Sequence, residues 1–161
     1  MKSMPIPNKI LILPDIRSAQ NVGSLFRTAD ACGIECIYVV GITPAPTDQF
    51  GRANSAIAKT ALGAEQTIPW QKVATLGPLL TKLQKAGVQT VAIEQSENAI
   101  DYKKVKMRLP TAFIVGNEVD GLPEHILKKM DIIAEIPMNG KKESLNVSVA
   151  AGIALFRILG I

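Results

Sequence analysis

Five short apolar runs, each bounded by turn residues and separated by helix-forming segments, limit what this chain can fold into. They are Lys9–Leu13, Ile37–Val40, Val88–Glu94, Thr111–Val115 and Ile132–Ile136. Runs this apolar read as strands buried on both faces, and the spans between them as crossover helices. Those spans are Asn21–Cys32, Ser55–Leu62, Val73–Ala86, Pro123 to about Met130, and Ser144–Leu159. Val22, Leu25, Phe26 and Ala29 form the apolar face of the first, with Gly33 just beyond its end. Gln66–Ile68 reads as a further short strand, and Pro123 takes the favoured first helical position. Ser144 stands where an N-cap belongs, before the periodic run Leu145, Val149, Ile153, Phe156. The alternation predicts an α/β fold with a mainly parallel sheet and helices on both faces.

With no internal repeat, low-complexity stretch or linker, residues 1–161 are expected to form one domain. No apolar run reaches the ~18 residues of a membrane span, and the N-terminal Met1–Pro5 lacks the apolar stretch of a signal peptide. The cytoplasm is the expected compartment. Cys32 and Cys36, the only cysteines, read as reduced core thiols rather than a redox or metal pair. His125, the only histidine, has no partner spacing that would make it a catalytic base and reads as an exposed helix residue. Trp70 reads as a packing residue. The net charge of +4 suits an anionic partner, though scattered Lys and Arg also suit a solvated surface.

Three polar motifs stand at predicted strand ends, where ligands gather in open α/β sheets. Asn21-Val-Gly23-x3-Arg27 follows the first strand. Asn21 and Arg27 are six positions apart, so they are not on one stripe if both are helical, and they could share a site if Asn21 belongs to the turn before the helix. Val115-Gly-Asn-Glu-Val-Asp-Gly-Leu-Pro123 follows a later strand. There Gly116 would let a ligand approach the backbone and Glu118 offers acceptors, although the segment also reads as plain turn chemistry. Ile136-Pro-Met-Asn-Gly-Lys-Lys-Glu-Ser-Leu-Asn-Val-Ser148 joins the last strand to the last helix. It presents several backbone N–H groups to one small space, which suits a polar ligand. Neither a G-x-G-x-x-G turn after the first strand nor a P-loop is present.

In this order the three motifs resemble the SpoU/TrmH branch of the SPOUT RNA methyltransferases, over nearly all of the chain. The resemblance implies a C-terminal deep trefoil knot, a homodimer through the first and last helices, and S-adenosylmethionine bound in the knot. Ordinary connection rules would argue against a knot. Implied cofactor contacts are Ile93, Gly116, Ile136, Met138, Ser144 and Leu145. Implied activity is methylation of a ribose 2′-hydroxyl in tRNA or rRNA without a metal, yielding S-adenosylhomocysteine. Arg27 would be central, with Asn21, Glu118, Ser144 and Asn146 shaping its site.

Many members of the family carry an extra RNA-binding domain or terminal helices, and here no additional RNA-binding domain is expected. Arg17, Arg27, Arg52, Lys141 and Lys142 are the candidate RNA contacts, and an aromatic share of 4% leaves few base-stacking platforms. A silent RNA-binding or assembly module that keeps the fold is the alternative. Base methylation is a third reading, which the three-motif set disfavours.

Overall fold

The computed structural model describes residues 5–161; residues 1–4, part of the N-terminal stretch read above for a signal peptide, lie outside the described residues. Seven strands form one sheet: β1 Lys9–Pro14, β2 Cys36–Val40, β3 Trp70–Val73, β4 Gln89–Ile93, β5 Ile100–Asp101, β6 Thr111–Val115 and β7 Ile132–Glu135. Their order is β3-β2-β1-β6-β4-β7-β5, and every pairing is parallel. The α-helices are α1 Ala19–Ala31, α2 Ser55–Ala61, α3 Ala64–Thr67, α4 Leu76–Lys85, α5 Glu124–Leu127 and α6 Val147–Leu159. A 3-10 turn, Tyr102–Lys104, follows β5.

Side chains along a strand alternate faces, and here both faces are buried. Leu11, Leu13, Val39 and Phe113 join the α1, α2 and α6 side chains Val22, Phe26, Ile57 and Leu155 in one apolar cluster. Ile10, Ile12, Ala112 and Ile114 join Leu80 and Leu83 of α4 and Ile126 of α5 in the other. The central strands can be apolar throughout because neither face meets water.

Several sequence expectations are corrected. Helix α1 starts at Ala19, because Ser18 caps it by accepting from the Asn21 N–H, so Asn21 lies inside the helix. Gln66 belongs to helix α3, not to a strand, and Val73 ends β3 instead of opening a helix. Pro123 is the extended cap residue before α5, with φ −61° and ψ 147°. Ser144 does not cap α6. Asn146 does, its Oδ1 accepting from the Ser148 N–H at 2.9 Å and from the Ser148 hydroxyl at 2.6 Å.

The run Leu145, Val149, Ile153, Phe156 also faces outward. Val149, Ile153 and Phe156 remain 48%, 39% and 37% exposed, while Ala151, Ala154, Leu155 and Ile158 make the buried face of α6. Cys32 caps the end of α1 and Cys36 opens β2, both buried with free thiols. Burial pushes the Cys32 thiol up to about 11 despite nearby Lys9, and pushes Cys36 up as well. Neither is poised as a thiolate nucleophile.

Gly23 is required by packing. A Cβ there would sit 2.0 Å from the Thr60 hydroxyl and 2.4 Å from the Ile57 carbonyl oxygen, because α1 and α2 touch at this point. Gly23→Ala gains about 1 kcal/mol of helix propensity but forces the helices apart, at a cost toward the upper end of the 1–3 kcal/mol range for overpacking. A net loss of about 2 kcal/mol is expected in urea denaturation; unchanged or raised stability would show that the helices part freely.

Candidate active site

The carboxyl ends of β4, β6 and β7 open into a cleft of about 510 Å³. That volume falls within the ~300–1,000 Å³ range of small-molecule sites. Ile93, Gly116, Ile136, Met138, Ser144 and Leu145 all line it, together with Glu118 and Asn146. Leu145 is 37% exposed beside these walls. Among the described residues, none of the backbone N–H groups of Met138–Leu145 bonds to a backbone carbonyl. Among the described residues, this loop is tied by Gln95, whose Nε2 donates to the Glu143 carbonyl at 2.7 Å. A chain segment with so many uncommitted donors must satisfy them with water or a ligand.

One amide relay runs beside the cleft and connects all three motifs. The Asn146 Nδ2 donates to the Asn21 Oδ1 at 3.1 Å, and the Asn21 Nδ2 donates to the Glu118 Oε1 at 2.9 Å. Glu118 also accepts from the N–H groups of Arg17 and Ser18, at 3.1 and 3.3 Å. An ionised carboxylate only accepts, so Asn21 must turn its NH2 toward it and its oxygen toward Asn146. The Asn146 oxygen is then left for Ser148 at the start of α6. One negative charge sets the orientation of two amides and the cap of a helix.

Burial acts to raise the pKa of Glu118, but it is outweighed by hydrogen bonds from Asn21, its own N–H, Arg17 and Ser18, and the pKa is lowered. A depressed carboxylate stabilises the fold above its ordinary value of 4.5, and the contribution disappears as pH falls through the lower folded value. Thermal melts from pH 6 downward should therefore show a steeper acid loss for the wild type than for Glu118→Gln. Parallel acid limbs would mean that the carboxylate contributes nothing through its charge.

The backbone under the cleft is shaped by Glu94, which sequence reasoning overlooked. Its carboxylate accepts from the Leu122 N–H at 3.1 Å and the Gln95 N–H at 2.9 Å. A Cβ on Gly116 would lie 2.1 Å from the Glu94 Oε2 and 2.9 Å from the Gly121 Cα. Gly116 is bare because its own loop closes on Glu94. A carboxylate directly after an apolar strand was the available signal. Asn117 does the turn chemistry, its Oδ1 accepting from the Val119 and Asp120 N–H groups.

The remaining expected site residues lie apart. Arg27 is exposed on α1, about 9 Å along the helix from Asn21 and about 120° around it. With Asn21 helical, the two do not share a stripe, and Arg27 stays outside the relay. Arg17 is exposed in the loop that holds Glu118. Lys141 and Lys142 are exposed on the loop between β7 and α6. Arg52 belongs to a second groove, at the ends of β2 and β3. His125 is exposed and Trp70 is half-buried against the core.

Comparison with known proteins matches this arrangement. The chain is 32% identical over 155 residues to the 23S rRNA (guanosine-2′-O-)-methyltransferase RlmB of Neisseria meningitidis, covering 96% of this chain and 59% of that protein. Identity to RlmB of Pseudomonas aeruginosa is 34% over 150 residues, covering 93% and 58%. The crystal structure of an AdoMet-bound rRNA methyltransferase from Sinorhizobium meliloti superposes with a TM-score of 0.81 at 31% identity, covering 97% of this chain and 57% of that one. The chain thus spans a little under three fifths of the length of these relatives. Residues 8–156, from the start of the sheet almost to the end of α6, match the model of the SpoU rRNA Methylase family. A likeness that covers the sheet, the cleft and the relay together makes the chain a member of that family, of the SpoU/TrmH type of SPOUT RNA methyltransferase.

Proposed function

We propose that the protein transfers a methyl group from S-adenosylmethionine to a ribose 2′-hydroxyl of tRNA or rRNA. The observation that carries this reading is the convergence of three distant motifs, through Asn21, Glu118 and Asn146, on the edge of one cleft. The cleft suits the donor: apolar walls at Ile93, Ile136, Met138 and Leu145 flank a flat base, and backbone donors and acceptors read its edge. When bound, the donor supplies a methyl group on a positively charged sulfur and is released as S-adenosylhomocysteine. Gly116 and Ser144 complete its contacts.

The chain's own residues position the acceptor. Asn146 and Ser144 face the reacting ribose, and the relay to Glu118 keeps the Asn146 amide from turning. Arg27 neutralises the oxygen that becomes negative as its proton passes to solvent water, and grips an adjacent phosphate. Arg17, Arg52, Lys141 and Lys142 add phosphate contacts whose strength falls with salt. Residues 1–161 act together as one methyltransferase domain working in the cytoplasm; among the described residues, no helix is long and apolar enough to cross a membrane.

Two finer features belong to this reading. The first is a C-terminal trefoil knot. It is supported by β7, which fills the place between β4 and the earlier β5, and by the following loop, which returns against Gln95. The second is a homodimer across α1 and α6, supported by the exposed stripe Val149, Ile153 and Phe156 beside α1. Ile153→Glu is expected to turn a dimer into a monomer by sedimentation, and a wild-type mass that stays monomeric at all concentrations would remove the seam.

The function is tested by transfer of labelled methyl groups to total tRNA and rRNA, with mapping of the modified nucleotide. Label on a ribose is expected, and label on a base would overturn the reaction. Binding of the donor without transfer to any RNA pool would identify a silent binding module instead.

A further inference from the structure

The loop between β2 and α2 is built far more firmly than a connection needs. Asp48 Oδ1 accepts from the Phe50 and Arg52 N–H groups at 2.8 and 3.0 Å, and Asp48 Oδ2 pairs with the Arg52 Nε at 2.7 Å. Thr47 and Ala53 form an antiparallel bridge below, and the Asn54 N–H closes the base on the Pro46 carbonyl. The product of this bracing is a displayed ring. Phe50 is 73% exposed, with the Arg52 guanidinium 5.1 Å from its centroid. Phe50 packs into neither core cluster, so nothing in the fold accounts for holding it there.

Arg52, Gln49 and Asp48 form one wall of a groove of about 900 Å³ whose other lining includes Ile42, Trp70 and Lys72. Lys72 donates to the Gly41 and Thr43 carbonyls, which leaves one of its three ammonium donors for a ligand. The groove and the donor cleft lie on the same carboxyl edge of the sheet, with the end of β1 between them. The loop after β1 ties the two together: Asp15 Oδ1 accepts from the Ile42 N–H on one side, and Arg17 and Ser18 donate to Glu118 on the other.

We infer that the Phe50–Arg52 pair is a stacking platform for an unpaired base of the RNA, next to the nucleotide whose ribose is methylated. The inference rests on the RNA methyltransferase reading above. Two cations, Arg52 and Lys72, line the groove against one carboxylate, Asp48. Cations beside an exposed aromatic hold single strands, because every base offers a π face and every linkage a charge. The bracing by Asp48 leaves little ordering to be done when the base arrives. Arg52 both stacks and meets the backbone phosphate, so it contributes to salt dependence, and Phe50 does not.

The test uses the full chain with a fluorescein-labelled single-stranded oligoribonucleotide of mixed sequence, and a second copy carrying 2-aminopurine. Phe50→Ala is expected to weaken binding about ten-fold and remove the quench of 2-aminopurine, while Phe50→Trp retains both. Arg52→Gln should lower the slope of log affinity against log salt by about 0.7, one single-strand phosphate contact. Adenosylmethionine affinity by calorimetry, set in the other cleft, should stay unchanged. If the wild type binds the RNA and Phe50→Ala leaves affinity and quench intact, the platform is overturned and the methyltransferase reading stands. If the wild type binds neither RNA nor adenosylmethionine, both fall. If Phe50→Ala instead lowers the sedimenting mass, the loop is a contact between copies of the chain and the inference is wrong.

Discussion

Arg27→Ala is expected to reduce single-turnover methyl transfer by about 10²- to 10³-fold, the scale of losing one donor that stabilises a developing oxyanion. A guanidinium remains protonated in proteins, so Arg27 is a poor base and a good counter-charge. Its exposed place on α1, outside the amide relay, suits the proposed contact with RNA. Arg27→Lys keeps the charge and loses the planar fork, and should retain a rate about ten-fold below wild type. A rate close to wild type for Arg27→Lys would show that the fork is irrelevant. Adenosylmethionine affinity should not change in either variant, because Arg27 does not line the donor cleft.

Gly116→Ala is expected to abolish donor binding and to cost about 2–3 kcal/mol of stability through overpacking. The added methyl would overlap the Glu94 carboxylate at 2.1 Å and press on the Gly121 Cα at 2.9 Å. Glu94 can swing away, but it then drops the Leu122 and Gln95 N–H groups that fix the cleft floor. Gly121 cannot yield, since it is backbone held at a φ of +65°. Calorimetry with adenosylmethionine and urea denaturation read the two effects separately. Wild-type affinity together with wild-type stability would show that the loop has room to move.

The parallel sheet was legible because its inner strands Ile10–Leu13, Ile37–Val40 and Ala112–Val115 are short apolar runs bounded by turn residues, the pattern of strands covered on both faces. The strands that escaped notice have a physical excuse. Trp70–Val73 is an edge strand with two polar members, and Ile100–Asp101 is two residues long. The sequence left open which face of α6 meets the sheet, because both sides of that helix are apolar and periodicity does not choose between them. Each motif was visible in the sequence. The bond between Asn21 and Asn146 was not, because it joins side chains 125 residues apart through the fold. Glu118 was seen as an acceptor without its donors, and the cap moved from Ser144 to Asn146 because that amide, fixed by Asn21, points its oxygen at Ser148. The exposure of Phe50 could not be read from composition, since it is set by the bracing of its loop.

The place of β7 in the sheet has a consequence for how the protein is made. Among the described residues, strand β5 pairs with β7 and with no other strand, and β7 also covers the open side of β4. As the chain leaves the ribosome, β4 and β5 are complete some thirty residues before β7 exists. Throughout that interval the edge Val91–Ile93 is unpaired and Ile100 has no neighbour to align it. The nascent protein therefore carries an exposed apolar edge until nearly its last strand, the kind of edge that invites pairing with another chain.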